Sequence, residues 1–146
     1  MCIRDSTVAI EQGGKTIAVI GTSIADVYPK RNKALQQEIA KNHLLISQIP
    51  IVRYANQDYR LNRQFFPERN ATMSALAQGT VIVEAADRSG TLTQAKAALK
   101  QGRLLFILDS CFENTSWSWP RNYEQLGAIR VKQVTDIIDR LVAEKQ

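Results

Sequence analysis

Thr80-Val81-Ile82-Val83, the polar turn Asp87-Arg88-Ser89-Gly90-Thr91, the amphipathic stretch Leu92 to Gln101 and the run Leu104-Leu105-Phe106-Ile107-Leu108 decide the fold. Two short apolar runs flanking a helical pattern predict a βαβ unit. Parallel strands need a crossover of this length, and helices then cover both faces of the sheet. The turn before the helix is the expected working surface. Ser89 or Thr91 supplies an N-cap, Gly90 allows close backbone approach, and the first free N–H groups with the helix dipole favour an anion such as phosphate. Read alone, the same Ser-Gly-Thr is more often an ordinary cap.

Outward from this unit, the chain has 146 residues, of which 45% are hydrophobic and 23% charged, enough for one globular domain with its own core. A formal net charge of +5 suits a polyanionic partner, although it also serves solubility. Cys2 and Cys111 have no spaced partner, which predicts neither a disulfide framework nor a zinc site and fits a reducing, cytoplasmic setting. No apolar run approaches the roughly 20 residues that span a bilayer.

Thr16 to Gly21 reads as a buried strand closed by the turn Gly21-Thr22-Ser23, the end of a strand at which open α/β sheets bind ligands. Gly13-Gly14-Lys15-Thr16 lacks the spacing of a P-loop and precedes its strand instead of following it. Asn32 is the expected cap of a helix to about Asn42 with Leu35 and Ile39 inward, and Leu44-Leu45-Ile46-Ser47 is the next strand. His43, the single histidine, has no partner for a metal site or a triad.

From Pro50 to Pro67 periodicity lapses. Arg53, Arg60, Arg63 and Arg69 interleave with Tyr54, Tyr59, Phe65 and Phe66, the mixture that single-stranded nucleic acid rewards through phosphate contacts and base stacking. On the residues alone, Phe65 and Phe66 packed into the core with the arginines merely solvated is the favoured reading. A helix is expected from Glu68 to about Gln78 with Met73, Leu76 and Ala77 inward, then a loop from Asp109 to Trp119, then a closing helix from Val134 to Leu141. Trp117 and Trp119 could stack bases, but tryptophans in a loop more often anchor it against the core. Met1 to Ser6 fits no periodic pattern and is read as a non-native extension.

Gly13-Gly14-Lys15-Thr16-Ile17-Ala18-Val19-Ile20-Gly21-Thr22, Val27-Tyr28-Pro29 with Asn32, Phe66-Pro67-Glu68-Arg69-Asn70, Val83-Glu84-Ala85, Ser89-Gly90-Thr91-Leu92 and Ala98-Leu99-Lys100-Gln101-Gly102-Arg103 follow one another in this order. Together they resemble the DNA-processing protein A family (DprA/Smf) over roughly Gly13 to Ile138. The resemblance implies an α/β, Rossmann-like, three-layer domain with a mainly parallel sheet, here partial over residues 7–146. The family's earlier strand, Gly-Ser-Arg turn and Gly-Ile-Asp segment are not in this sequence.

The resemblance also implies a single-stranded-DNA-binding protein without catalysis or cofactor, acting in DNA uptake and recombination by handing DNA to a RecA-type recombinase. A homodimer, with no membrane partner, is expected. With it, nucleic-acid or phosphate contacts are expected at Gly21, Thr22, Arg69, Asn70, Ser89, Gly90 and Thr91; the aromatic residues themselves add possible base stacking on Phe65 or Trp117. Arg69 and the Ser89-Gly90-Thr91 turn are expected to face one cleft. The pattern departs from the family at Ser23, where a glycine is usual, at Ala71, where an arginine is frequent, and at Asp109-Ser110-Cys111, where a Val-Pro-Gly turn is usual. Two other readings stay open. One is a nucleoside-monophosphate phosphoribohydrolase of the lysine-decarboxylase-like type using Glu84 and Arg69, whose Pro-Gly-Gly-x-Gly-Thr-x-x-Glu signature the sequence lacks. The other is a degenerate nucleotide-sensing or partner-binding domain.

Overall fold

A computed structural model describes residues 3–144. The chain divides into two compact units, Met1–Arg69 and Asn70–Gln146, with the boundary inside one helix.

The first unit begins with helix α1 (Ile3–Glu11), which is followed by strand β1 (Ile17–Ile20). Ile3 to Ser6, expected to form no element, make the first turns of α1. The helix escaped the periodicity reading because its most buried residue is the small, polar Ser6, whose hydroxyl pairs with that of Thr16 at 3.1 Å. Met1 and Cys2 lie outside the described residues. Gly13, at φ +71°, ends α1 in the left-handed region that glycine enters without strain. A short 3₁₀ turn (Lys30–Asn32) leads into α2 (Lys33–Asn42), which crosses over to β2 (Leu44–Ser47). β2 pairs parallel with β1, Ile17 opposite Leu44 and Ile20 opposite Ser47. The Ser47 hydroxyl donates to the Thr22 carbonyl at 2.6 Å and so ties the end of β2 to the turn after β1. Ile39 is the apolar anchor of α2 as expected. Its buried neighbour is Gln36 and not Leu35, the Gln36 amide being satisfied by the Asp26 carbonyl at 3.0 Å.

The segment expected to be irregular holds two short helices, α3 (Ile51–Asn56) and α4 (Tyr59–Asn62). Asp58 caps α4 by accepting from the Arg60 N–H at 3.0 Å. Helix α5 (Phe65–Leu76) starts three residues before the expected Glu68 and carries the unit boundary.

In the second unit the inward residue of α5 is Ser74, fully buried, whereas Leu76 is 54% exposed. The Ser74 hydroxyl lies 2.9 Å from the Ala71 carbonyl and 2.7 Å from Gln101 Oε1, a polar lock that hydrophobic patterning does not register. Then follow β3 (Gly79–Ile82), α6 (Gly90–Lys100), β4 (Leu104–Leu108), α7 (Ser110–Glu113), α8 (Trp119–Gln125), β5 (Ile129–Val131) and α9 (Val134–Ala143). The sheet runs β3-β4-β5 with both pairings parallel, Gly79 opposite Leu104 and Phe106 opposite Ile129. The βαβ unit therefore stands as the sequence has it. Ile82, Ala95, Leu105, Ile107, Cys111 and Trp119 form its core.

The stretch expected to be a loop after Leu108 contains α7 and ends where α8 begins, with Pro120 in the first turn of α8, where its missing N–H costs no helical bond. Asp109, Ser110 and Cys111, three of the residues that depart from the family pattern, have structural work here. Asp109 forms an ion pair with Arg130, Ser110 begins α7, and the Cys111 thiol donates to the Val83 carbonyl at 3.3 Å. Among the described residues no helix is long and apolar enough to cross a membrane.

Candidate nucleic-acid interface

In the first unit the functional surface grows from the end of β1. The turn Gly21-Thr22-Ser23 is closed on itself: Thr22 and Ser23 are buried, the Thr22 hydroxyl donates to the Asp26 carbonyl at 3.5 Å, and Ser23 Oγ accepts from the Ala25 N–H at 3.2 Å. Gly21 lies under an aromatic ring. A Cβ built on it would stand 2.7 Å from Phe66 Cδ1, so only glycine leaves the ring its place. Arg69 also lies over the Phe66 ring, its guanidinium carbon 6.0 Å from the ring centroid and its Nη1 donating to the Val19 carbonyl at 3.4 Å. Gly21, Thr22 and Arg69, expected as contacts from separate motifs, thus line one pocket of about 150 Å³, together with Asn32.

Beside it is a larger cavity of about 540 Å³ lined by Tyr28, Tyr54, Asn62, Arg63 and Phe66. Tyr28 is 66% exposed and its ring stands 6.2 Å from that of Phe66. Burial, then the neighbouring Asp26 carboxylate and Tyr28, push the Tyr54 phenol above its ordinary value, so it stays a neutral hydrogen-bonding group. This corrects one expectation. Phe65 is 3% exposed, covered by Arg53 at 5.2 Å and packed 6.4 Å from Tyr54, and has no face left for a base. Its neighbour Phe66 lines the cavity instead, because successive residues of a helix point about 100° apart. Tyr28 went unnoticed as a site residue. Its signal was the Tyr-Pro dipeptide, which places a ring close to the Gly21 turn only once the chain is folded.

Asn32 does not cap α2 as expected. It closes the preceding 3₁₀ turn at φ −90°, ψ 9°, outside the extended geometry in which a cap side chain reaches the helix N–H groups, and makes no such bond.

In the second unit Ser89 caps α6 as expected, its Oγ accepting from the Thr91 N–H at 3.2 Å and meeting Thr91 Oγ1 at 3.0 Å. Asn70 Nδ2 donates to the Gly90 carbonyl at 3.0 Å, which brings together four of the expected residues: Asn70, Ser89, Gly90 and Thr91. A Cβ on Gly90 would meet only the Asn70 amide, at an ordinary 3.6 Å. Trp117 is half-buried against the core, 6.2 Å from Trp119, whose indole N–H donates to the Ala85 carbonyl at 3.0 Å; the pair anchors its loop.

Charge is uneven along the chain. Residues 1–69 hold ten of the 19 Lys and Arg and six of the 14 Asp and Glu, a net +4, which leaves +1 for residues 70–146.

The family model described as DNA recombination-mediator protein A matches residues 5–142. Streptococcus pneumoniae DNA processing protein DprA is 40% identical over 100 residues, covering 68% of this chain and 33% of that protein. Bacillus subtilis DprA is 31% identical over 133 residues, covering 91% of this chain and 43% of that protein, and Escherichia coli protein Smf is 33% identical over 134 residues, covering 91% and 34%. The chain thus spans a third to under half the length of these curated relatives. In three dimensions it is similar to the crystal structure of S. pneumoniae DprA, with a TM-score of 0.75 and 33% identity over 92% of this chain and 45% of that one. It also shares the fold of a DNA processing protein A from Helicobacter pylori described for its single-stranded DNA binding mode, with a TM-score of 0.69 and 23% identity over 97% of this chain and 72% of that one.

Proposed function

Since the chain belongs to the DNA recombination-mediator protein A family (DprA/Smf), we propose that it binds single-stranded DNA, without catalysing a reaction on it, in bacterial DNA uptake and recombination. The observation that carries this reading is the first unit's surface: three aromatic rings, Tyr28, Tyr54 and Phe66, with Arg63 around a cavity of about 540 Å³, on the half of the chain that holds most of the net charge. Bases stack on rings of any sequence, and arginine supplies phosphate contacts and cation–π attraction. Arg69, Gly21 and Thr22 extend that surface. In the second unit the capped start of α6, with Ser89, Gly90, Thr91 and Asn70, offers backbone N–H groups to a phosphate.

Delivery of the strand to a RecA-type recombinase, a cytoplasmic setting and a homodimer complete the reading. For the dimer, support comes from α9, where Val134, Ile138 and Val142 repeat every four residues and are 69%, 51% and 54% exposed.

The test is a pair of salt titrations with oligo-dT. Each neutralised phosphate contributes about −0.7 to the slope of log affinity against log salt, so Arg63→Gln and Arg69→Gln are each expected to flatten it by about 0.7 and to weaken all sequences alike. Phe66→Leu is expected to lower affinity with the slope unchanged, because no charge is removed. Folded variants with parental affinity and slope would overturn the proposal.

A further inference from the structure

The Ser47 hydroxyl, at the end of β2, is bonded in two directions. It donates to the Thr22 carbonyl at 2.6 Å and accepts from the Ile49 N–H at 3.1 Å. The first bond reaches back to the turn in which Gly21 makes room for the Phe66 ring. The second reaches forward to the arm that holds α3 and α4. Ile49, 5% exposed, is the buried root of that arm, and Pro50 after it opens α3. From there the connection runs on through hydrogen bonds. The Pro50 carbonyl accepts from the Tyr54 N–H at 3.0 Å, and the Tyr54 carbonyl accepts from Asn62 Nδ2 at 3.2 Å. Arg63 is the next residue. Helices of six and four residues do not hold themselves, and no side chain caps α3, so the arm takes its place from its root.

Resting on the DNA-binding reading, we propose that Ser47 is a positioning residue for the strand. The cavity of about 540 Å³ has the Phe66 ring on one wall and Tyr54, Asn62 and Arg63 on the other. Ser47 is not among the residues that line it, yet its one oxygen is bonded toward both walls. It sets the separation at which a base stacks on Phe66 while the adjoining phosphate meets Arg63. Only a hydroxyl does this from a single atom, since it donates and accepts at once. Threonine keeps that atom and suits a strand, whereas valine keeps the shape of threonine without it.

The experiment is a salt series of oligo-dT titrations, read by fluorescence anisotropy on the full chain, for the parent and for Ser47→Thr, Ser47→Val and Ser47→Ala. Ser47→Thr is expected to keep the parental affinity and slope. Ser47→Val and Ser47→Ala are expected to bind about 5- to 150-fold more weakly, the contribution of one stacked base. They are also expected to flatten the slope of log affinity against log salt by about 0.7, although neither removes a charge, because Arg63 no longer reaches its phosphate. In the Ser47→Val background Arg63→Gln should then flatten it no further. Valine keeps the side-chain volume and serves if the alanine variant does not fold. A folded Ser47→Val protein with parental affinity and slope would overturn the proposal. So would a weaker Ser47→Val with the slope unchanged, which assigns Ser47 to the fold alone, or a Ser47→Thr that loses as much as Ser47→Val. Each of these leaves the DNA-binding reading standing, whereas a parent protein that binds no oligo-dT overturns both.

Discussion

Replacing Gly21 by alanine tests the packing on which the first unit's surface depends. The added Cβ would lie 2.7 Å from Phe66 Cδ1, 3.1 Å from Cε1 and 3.3 Å from Cγ. Carbon atoms meet comfortably at about 3.5–4.0 Å, and because Cγ is among the crowded atoms, rotating the ring about its own axis relieves little. The ring must move as a whole, toward the cavity it lines. Gly21 is not among the glycines with positive φ, so alanine is allowed by the backbone and gains about 0.4–1 kcal/mol by restricting the unfolded chain. Overpacking at such a contact costs about 1–3 kcal/mol. The net expectation is a loss of about 1–2 kcal/mol, a fall in Tm of about 3–8 °C for a chain of this size. Circular dichroism melts and urea titrations read it, and oligo-dT affinity is expected to fall in the same variant because Phe66 is displaced. The decisive measurement is the double variant. With Phe66→Leu in place the ring is gone, and Gly21→Ala is expected to cost little or to stabilise, a coupling of about 1–2 kcal/mol. A Gly21→Ala protein that melts at or above the parental temperature, or a strictly additive pair, would refute the argument.

Gly90 is expected to behave in the opposite way. Gly90→Ala meets only the Asn70 amide, so the melt should be unchanged or improved by up to about 1 kcal/mol, whereas Gly90→Val should weaken oligonucleotide binding more than it weakens the fold. Burial, and then the Glu84 carboxylate, push the Cys111 thiol above its ordinary value of 9.0. The folded state therefore keeps its full stability below pH 9.0 and loses part of it as pH rises from there through the higher folded value. In a Cys2→Ser background, alkylation of Cys111 at neutral pH should proceed only at the rate of unfolding; labelling as fast as a free thiol would contradict its burial. The backbone N–H groups of Lys132 and then Gln133, at 2.8 and 3.1 Å, hold the Asp136 carboxyl below its ordinary value at the start of α9. That contribution is present above the unfolded pKa and lost as pH falls through the lower folded one, so Asp136→Asn should flatten the dependence of stability on pH in the acid range. An unaltered acid melt would count against it.

What could be read from the sequence follows from how far each signal reaches along the chain. The βαβ unit, the Ser89 cap, β1 and β2 were legible because a run of β-branched residues, or an oxygen one turn ahead of an amphipathic stretch, acts within a few residues. Helix α1 and the inward side of α5 were not, because Ser6 and Ser74 stand where an apolar residue was sought and are stabilised by hydrogen bonds to Thr16 and Gln101. Helices α3, α4 and α7 span less than two turns and present too few residues for a period to emerge. At the site the motif Phe66-Pro67-Glu68-Arg69-Asn70 identified the right helix but not which of two adjacent phenylalanines stays accessible. That is set by Gly21, 45 positions earlier in the chain, whose missing side chain makes room for Phe66 and leaves Phe65 to the core. Asn32 is the sharpest case. Its position before a helix made it a cap on local grounds, and the 3₁₀ turn that carries it rotates the side chain away from α2 and into the pocket beside Arg69. The residue that the local rule explained most easily is thus one whose place only the folded chain decides.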